Sequence, residues 1–147
     1  MRHALLLVAA LAAPACAEPV ASPKGLEGFV SVDRLPVPEA PFLAGGREIW
    51  AESCENCHGG NKLTGAPKIT STEAWAPRIA QGMDVLTGHA INGFIGPKYK
   101  QMPARGGNDD LSDAEVSAAV AFMVWASGGE SQAETFAQTA SLKDKQQ

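Results

Sequence analysis

Long apolar runs, internal repeats, strand-like alternation and an excess of charge of one sign are all missing from this chain. The apolar stretch from Ala4 to Ala13 is too short to cross a bilayer. No segment alternates apolar and polar residues long enough to read as a strand, so a sheet-built architecture is not expected. The 147 residues carry a formal charge of −4 with 19% charged side chains, which argues against general nucleic-acid binding. Cysteine is scarce, with 3 in all, at positions 16, 54 and 57. A chain of this length holds one domain of modest size with tails.

What is present begins with a short basic end, Arg2 and His3, ahead of that apolar run, and small residues follow at Ala15-Cys16-Ala17. This order reads as a secretory signal peptide over residues 1–17, cleaved before Glu18, and Cys16 leaves with it. The competing expectation makes Cys16 a lipidated first residue anchoring the protein to a membrane, although Ala13-Pro14-Ala15 matches such a site poorly. The expected location is periplasmic, or lipid-anchored and facing the periplasm on the alternative. Without Arg2 the balance is 11 basic to 16 acidic residues, a mildly acidic mature protein.

The two remaining cysteines stand in Cys54-Glu55-Asn56-Cys57-His58, a C-x-x-C-H run. Two thiols at this spacing can each add across a haem vinyl group, and the histidine after the second thioether is then held beneath the iron as an axial ligand. Rival readings are a redox dithiol and a zinc half-site. In an oxidising compartment the pair would be expected to close as a disulfide unless another reaction consumed both thiols, and covalent haem does so. The prosthetic group also adds apolar mass to a domain short of core.

Around this motif the chain divides into four parts. Residues 18–41 carry Pro19, Pro23, Pro36, Pro38 and Pro41, which predicts an extended lead, with Phe29, Val30, Val32, Leu35 and Val37 apolar enough for part of it to lie along the domain. The domain spans 42–127. Phe42, Gly46, Ile49, Trp50, Ser53 and Cys54 recur at helical steps, so one face runs into the attachment turn. A loop follows from Gly59 to Ser71. Thr70-x-x-Glu73 reads as a capping box for a short helix containing Trp75 and Pro77, and Gly82 and Gly93 bracket a helix from about Met83 to Asn92. A second loop runs from Gly93 to Asn108. The last helix is capped by Ser112-x-x-Glu115, with Leu111 and Val116 placed as a hydrophobic staple and Val116, Ala119, Val120, Met123 and Val124 as its apolar stripe. Residues 128–147 read as a polar tail without fixed structure, although Ala133, Phe136, Ala137 and Ala140 could line a weak helix. The expected class is all-α, about four helices wrapped round one haem.

The opposite face of the iron decides the chemistry, and Met83, His89, Met102 and Met123 are the candidates. Met123 and Met83 sit on helical faces, where methionine commonly fills core space. Met102 lies in an irregular loop beside Pro103, whose fixed φ can hold a thioether in place. His89 is its main rival. Imidazole opposite thioether closes both axial positions, leaving no vacancy for oxygen, peroxide or substrate, and suits the iron to passing electrons.

Taken together, Gly46 and Trp50 ahead of Cys54-Glu55-Asn56-Cys57-His58, then Gly65-Ala66-Pro67, Trp75-Ala76-Pro77-Arg78, Met102-Pro103 with Gly106-Gly107, and Leu111-Ser112-Asp113 leading into Ala119-Val120-Ala121-Phe122-Met123 carry a resemblance. The run from Gly45 to Trp125 resembles the class I c-type cytochromes, most closely the small bacterial monohaem cytochromes of the c-five group. The resemblance implies thioethers at Cys54 and Cys57 and iron ligation by His58 and Met102. It further implies a Pro67 carbonyl accepting from the His58 ring, Gly46 and Trp50 meeting Phe122 at a helix crossing, and Trp75 and Arg78 near a haem propionate. The chain departs from the group in the insertion-like Ile95-Gly96-Pro97-Lys98-Tyr99-Lys100 and in lacking the second cysteine pair that some members carry.

The expected function is a periplasmic one-electron carrier, not an enzyme. A haem subunit or electron-entry module of a periplasmic redox complex is the alternative, and a haem-based sensor or peroxidase-like catalyst a further one. Lys62, Lys68, Lys98, Lys100 and Arg105 lie in the two loops expected to surround the haem edge, a basic patch on an acidic protein suited to steering acidic redox partners.

Overall fold

Gly46 decides how this fold closes. In the computed structural model, which describes residues 25–97 and 100–144, Gly46 lies within helix α1 (Pro41–Ile49) directly against the backbone of helix α5 (Asp113–Trp125). A Cβ at this glycine would stand 2.0 Å from the Ala118 carbonyl oxygen, so only hydrogen allows the two helices to come this close. Above the crossing, the buried Trp50 meets Phe122 edge-on, with ring centroids 6.0 Å apart. The expected contact of the first and last domain helices is present, and the glycine meets Ala118 rather than Phe122.

Beyond Ile49 the helix widens into a π-helical turn, Trp50–Cys54, and returns to α-helical geometry in α2 (Glu55–His58). Helix α3 (Thr72–Ile79) follows the proximal loop. Its cap is Ser71, whose hydroxyl accepts from the Ala74 N–H, and not Thr70. Thr70 instead takes a left-handed conformation, φ 69°, and its buried N–H donates to Ser127 Oγ at 3.0 Å. Helix α4 (Met83–Asn92) is bracketed by Gly82 and Gly93 as expected. Within the expected distal loop, β1 (Phe94–Ile95) and β2 (Gln101–Met102) pair antiparallel, with Phe94 opposite Met102. At α5 the Ser112–Glu115 capping box is complete in both directions.

Two regions depart from the sequence reading. Residues 130–144 form helix α6 (Glu130–Asp144), with Ala133 and Ala137 buried and Phe136 packed edge-on to Phe42, centroids 6.1 Å apart. The physical reason lies in α5, where every residue from Ala118 to Trp125 is buried. A helix apolar on all sides needs cover all round, and α1, α4 and α6 together supply it. The lead also contributes more than a surface lining. Val30 and Leu35 are core residues, and a 3-10 turn at Val32–Arg34 lets the segment fold back on itself. The apolar residues of the lead therefore extend the folded unit well before Phe42. Cys16, the rest of the expected signal peptide and Lys98 lie outside the described residues.

Candidate haem site

The π-helical turn delivers Cys54 to the site and α2 delivers Cys57 and His58, so the whole C-x-x-C-H motif is presented by continuous helical backbone. Both cysteines are free and partly buried. The Cys54 thiol is pushed up to about 11, first by burial and then by the neighbouring Cys57, which keeps it uncharged. A zinc site needs further donors, and among the described residues no three His, Cys, Asp or Glu side chains gather as a metal site.

His58 is 6% exposed, and burial holds its pKa below the ordinary imidazole value, with the Arg78 charge adding and the Pro67 hydrogen bond opposing. Its Nδ1 lies 2.9 Å from the Pro67 carbonyl oxygen. A carbonyl only accepts, so the Nδ1 proton faces Pro67 and Nε2 keeps a free lone pair. The loop that makes this contact is itself pinned. The Ile69 N–H donates to the His58 carbonyl at 2.7 Å, and the Trp75 indole N–H donates to the Lys68 carbonyl at 2.9 Å. Trp75 therefore buttresses the proximal loop, its ring centroid 6.3 Å from that of His58. The indole N–H expected near a propionate is thus engaged within the loop, and Arg78 donates to the Ala74 carbonyl at 2.5 Å.

Met102 sits half-buried on β2 and packs against the main core, as does Cys54. The turn after it is fastened beside the motif. Asn108 Nδ2 donates to Ser53 Oγ at 3.2 Å, and a Cβ at Gly106 would stand 3.2 Å from the Ser53 carbonyl oxygen. On the other flank the Lys100 side chain lies over Gly65. The segment from Lys100 to Asn108, with Met102 inside it, thus touches the residue before Cys54 and the loop after His58. Of the rival ligands, the His89 ring stacks on Phe94 with centroids 4.2 Å apart and Met123 is buried within α5, while Met83, like Met102, is partly buried against the core.

Two of the five expected docking cations have intramolecular partners. Lys68 Nζ donates to the Leu26 carbonyl at 2.5 Å, and Arg105 pairs with Asp113 at 2.6 Å while donating to the Leu111 carbonyl. Lys62 and Lys100 are exposed. The roles of Glu55 and Lys68 toward the lead escaped sequence reasoning, and the apolar residues Phe29, Val30 and Leu35 were the available signal.

Two free cysteines beside an imidazole with one fixed tautomer, carried on a small helical fold, fit a covalently attached haem. Comparison with known proteins agrees. Residues 41–123 match the family described as cytochrome C oxidase, cbb3-type, subunit III. Over 81 residues the chain is 49% identical to cytochrome c-555 of Chlorobaculum tepidum, covering 55% of this chain and 73% of that one. Over 75 residues it is 39% identical to cytochrome c5 of Ectopseudomonas mendocina, covering 50% and 79%. A chain from a crystal structure of an electron transfer complex of nitrite reductase with cytochrome c is similar at 36% identity, covering 56% of this chain and 93% of that one, with a TM-score of 0.49. The chain belongs to this cytochrome c family, as a class I monohaem c-type cytochrome. It is a haem-based electron carrier with covalently bound haem c.

Proposed function

We propose that this protein is an exported, periplasmic one-electron carrier in which Cys54 and Cys57 form the thioethers and His58 and Met102 ligate the iron, and that it is not an enzyme. When bound, haem c supplies a one-electron ferric/ferrous couple. The residues of the chain do the rest. Pro67 orients the imidazole and raises its basicity through the Nδ1–H contact. Pro103 fixes φ beside Met102 at −65° and stiffens the segment presenting the thioether. The single observation that carries His/Met ligation is that the segment around Met102 is fastened to both flanks of the motif, through Asn108 and Gly106 at Ser53 and through Lys100 at Gly65.

Export is supported by the basic end, apolar run and small residues of positions 2–17. Lys62 and Lys100, exposed among the described cations of the two loops, form the proposed docking patch for acidic redox partners. The family description, which names an oxidase subunit, supports a second reading as the haem module of a larger redox complex. The test is redox titration of the isolated holoprotein with carbon monoxide added to the reduced form. A one-electron wave and no carbon monoxide adduct without denaturant are expected. Ready binding of carbon monoxide would overturn the closed-iron reading, and isolation in a stable complex would favour the second one.

A further inference from the structure

Residues 25–35 precede the stretch that matches the cytochrome family, yet they clasp the attachment turn from both sides. On one side, the Val30 N–H donates to the carbonyl of Gly59, the residue after His58, at 2.7 Å. The Val32 N–H donates to Glu55 Oε2 at 2.8 Å, and Glu55 stands between the two cysteines. On the other side, Lys68 Nζ donates to the Leu26 carbonyl. Lys68 follows Pro67, whose carbonyl receives the His58 ring proton. The approach leaves no slack: a Cβ on Gly59 would lie 2.7 Å from the Val30 carbonyl oxygen. Arg34 folds the segment into a loop by donating to the carbonyls of Gly25 and Phe29, and Arg47 in α1 holds it down through the Val32 carbonyl at 2.6 Å. With Val30 sunk in the core, the segment is a strap joining α2, which carries His58, to the loop that carries Pro67.

We infer that Glu55 and Lys68 are positioning residues through which the 25–35 strap keeps the Pro67 carbonyl aligned with the His58 ring and thereby tunes the reduction potential. The inference rests on the reading of His58 as proximal ligand. An imidazole whose N–H is well received by a carbonyl is a stronger electron donor at its other nitrogen and favours the oxidised metal. Slackening either anchor lengthens the Nδ1–H to carbonyl contact, weakens that donation and disfavours the oxidised form. Water entry would act in the opposite direction, but Val30 in the core and Arg47 on the Val32 carbonyl hold the strap independently of either anchor, so the first effect governs.

The test uses the holoprotein and its Glu55→Ala, Glu55→Gln and Lys68→Met variants. Three measurements are made: the reduction potential, the exchange rates of the His58 Nδ1–H and Ile69 amide, and the hyperfine-shifted His58 resonances of the ferric state. Glu55→Ala and Lys68→Met are expected to raise the potential and to speed exchange at His58 and Ile69 by about tenfold, with α5 amides unchanged. Glu55→Gln, which keeps an acceptor for the Val32 N–H, restores both values. The double variant Glu55→Ala/Lys68→Met moves the potential by less than the sum of the single changes, because one strap serves both anchors. Unmoved potentials, a fall in potential, or Glu55→Gln behaving as Glu55→Ala would overturn the inference. Faster exchange spread evenly over α5 would also overturn it, since the strap would then serve global stability alone. If the wild type shows no hyperfine-shifted His58 signal, the ligand reading itself fails. If that signal is present but unmoved in the variants, the strap inference alone fails.

Discussion

Alanine at Gly45 and alanine at Gly46 should move stability in opposite directions. Both residues lie inside α1, where replacing glycine with alanine favours the helix by about 0.5–1 kcal/mol because the unfolded chain loses freedom. At Gly45, which is exposed, an added Cβ meets no atom within 4 Å. At Gly46 the same atom would be 2.0 Å from the Ala118 carbonyl oxygen and 2.4 Å from its carbon, so α1 and α5 must separate. That separation also loosens the packing of Trp50 on Phe122, and overpacking of this kind costs about 1–3 kcal/mol net. With roughly 4 °C per kcal/mol for a domain of this size, Gly45→Ala raises Tm by about 2–4 °C and Gly46→Ala lowers it by about 4–12 °C. Thermal unfolding of the two holoproteins, followed by far-ultraviolet circular dichroism, checks the pair. Equal stabilisation by both substitutions would refute the close crossing on which the fold depends.

Other consequences are as specific. Ala133, fully buried in the α6 contact, becomes a buried unpaired carboxylate in Ala133→Asp, which costs several kcal/mol. The helix should undock, becoming open to proteolysis after Gly129 while the haem spectrum persists, and an α6 that stays protected would contradict its docking. Glu115 has its pKa lowered first by the Ser112 hydroxyl and then by the Ser112 N–H, so its capping contribution is present above the ordinary value of 4.5 and is lost as pH falls through the lower native value. Protection of the α5 first turn should therefore decline in the wild type as the pH is taken below 4.5, but not in Glu115→Gln. Electron exchange with an acidic partner should slow as ionic strength rises, and Lys62→Glu with Lys100→Glu should slow it further at low salt. A rate that rises with salt would contradict the docking patch.

The parts of this molecule legible in the sequence are those set by local rules. The Ser112–Glu115 box, the glycines bracketing α4 and the run of Phe42, Gly46, Ile49 and Trp50 into Cys54 each carry a short-range signal, and each appears in the fold. The Pro67 contact to His58 was legible through family resemblance, since nothing in the spacing alone aims that carbonyl. Helix α6 escaped because Ala133, Phe136 and Ala137 make a weak stripe with little intrinsic drive, and its support is tertiary. The hint was in α5 itself, where Ala118, Ala121, Phe122 and Trp125 lie off the assigned stripe and are buried too. Thr70 escaped for a different reason: Ser71, one residue on, caps the helix, which leaves the Thr70 backbone free to take its left-handed turn toward Ser127. Lys68 and Arg105 resembled solvent-facing loop cations, and their partners, the Leu26 carbonyl and Asp113, are fixed by the folded arrangement.

The segment from Lys100 to Asn108, held against Gly65 and Ser53, is proposed to present Met102 to the iron opposite His58. The weak red absorption band of thioether-ligated ferric haem measures it most directly, compared between the wild type and Met102→Ala with covalent attachment through Cys54 and Cys57 verified in both. The band is expected in the wild type and should be lost in Met102→Ala while the haem stays attached. A band that survives the substitution, or that is missing from the wild type, would contradict it.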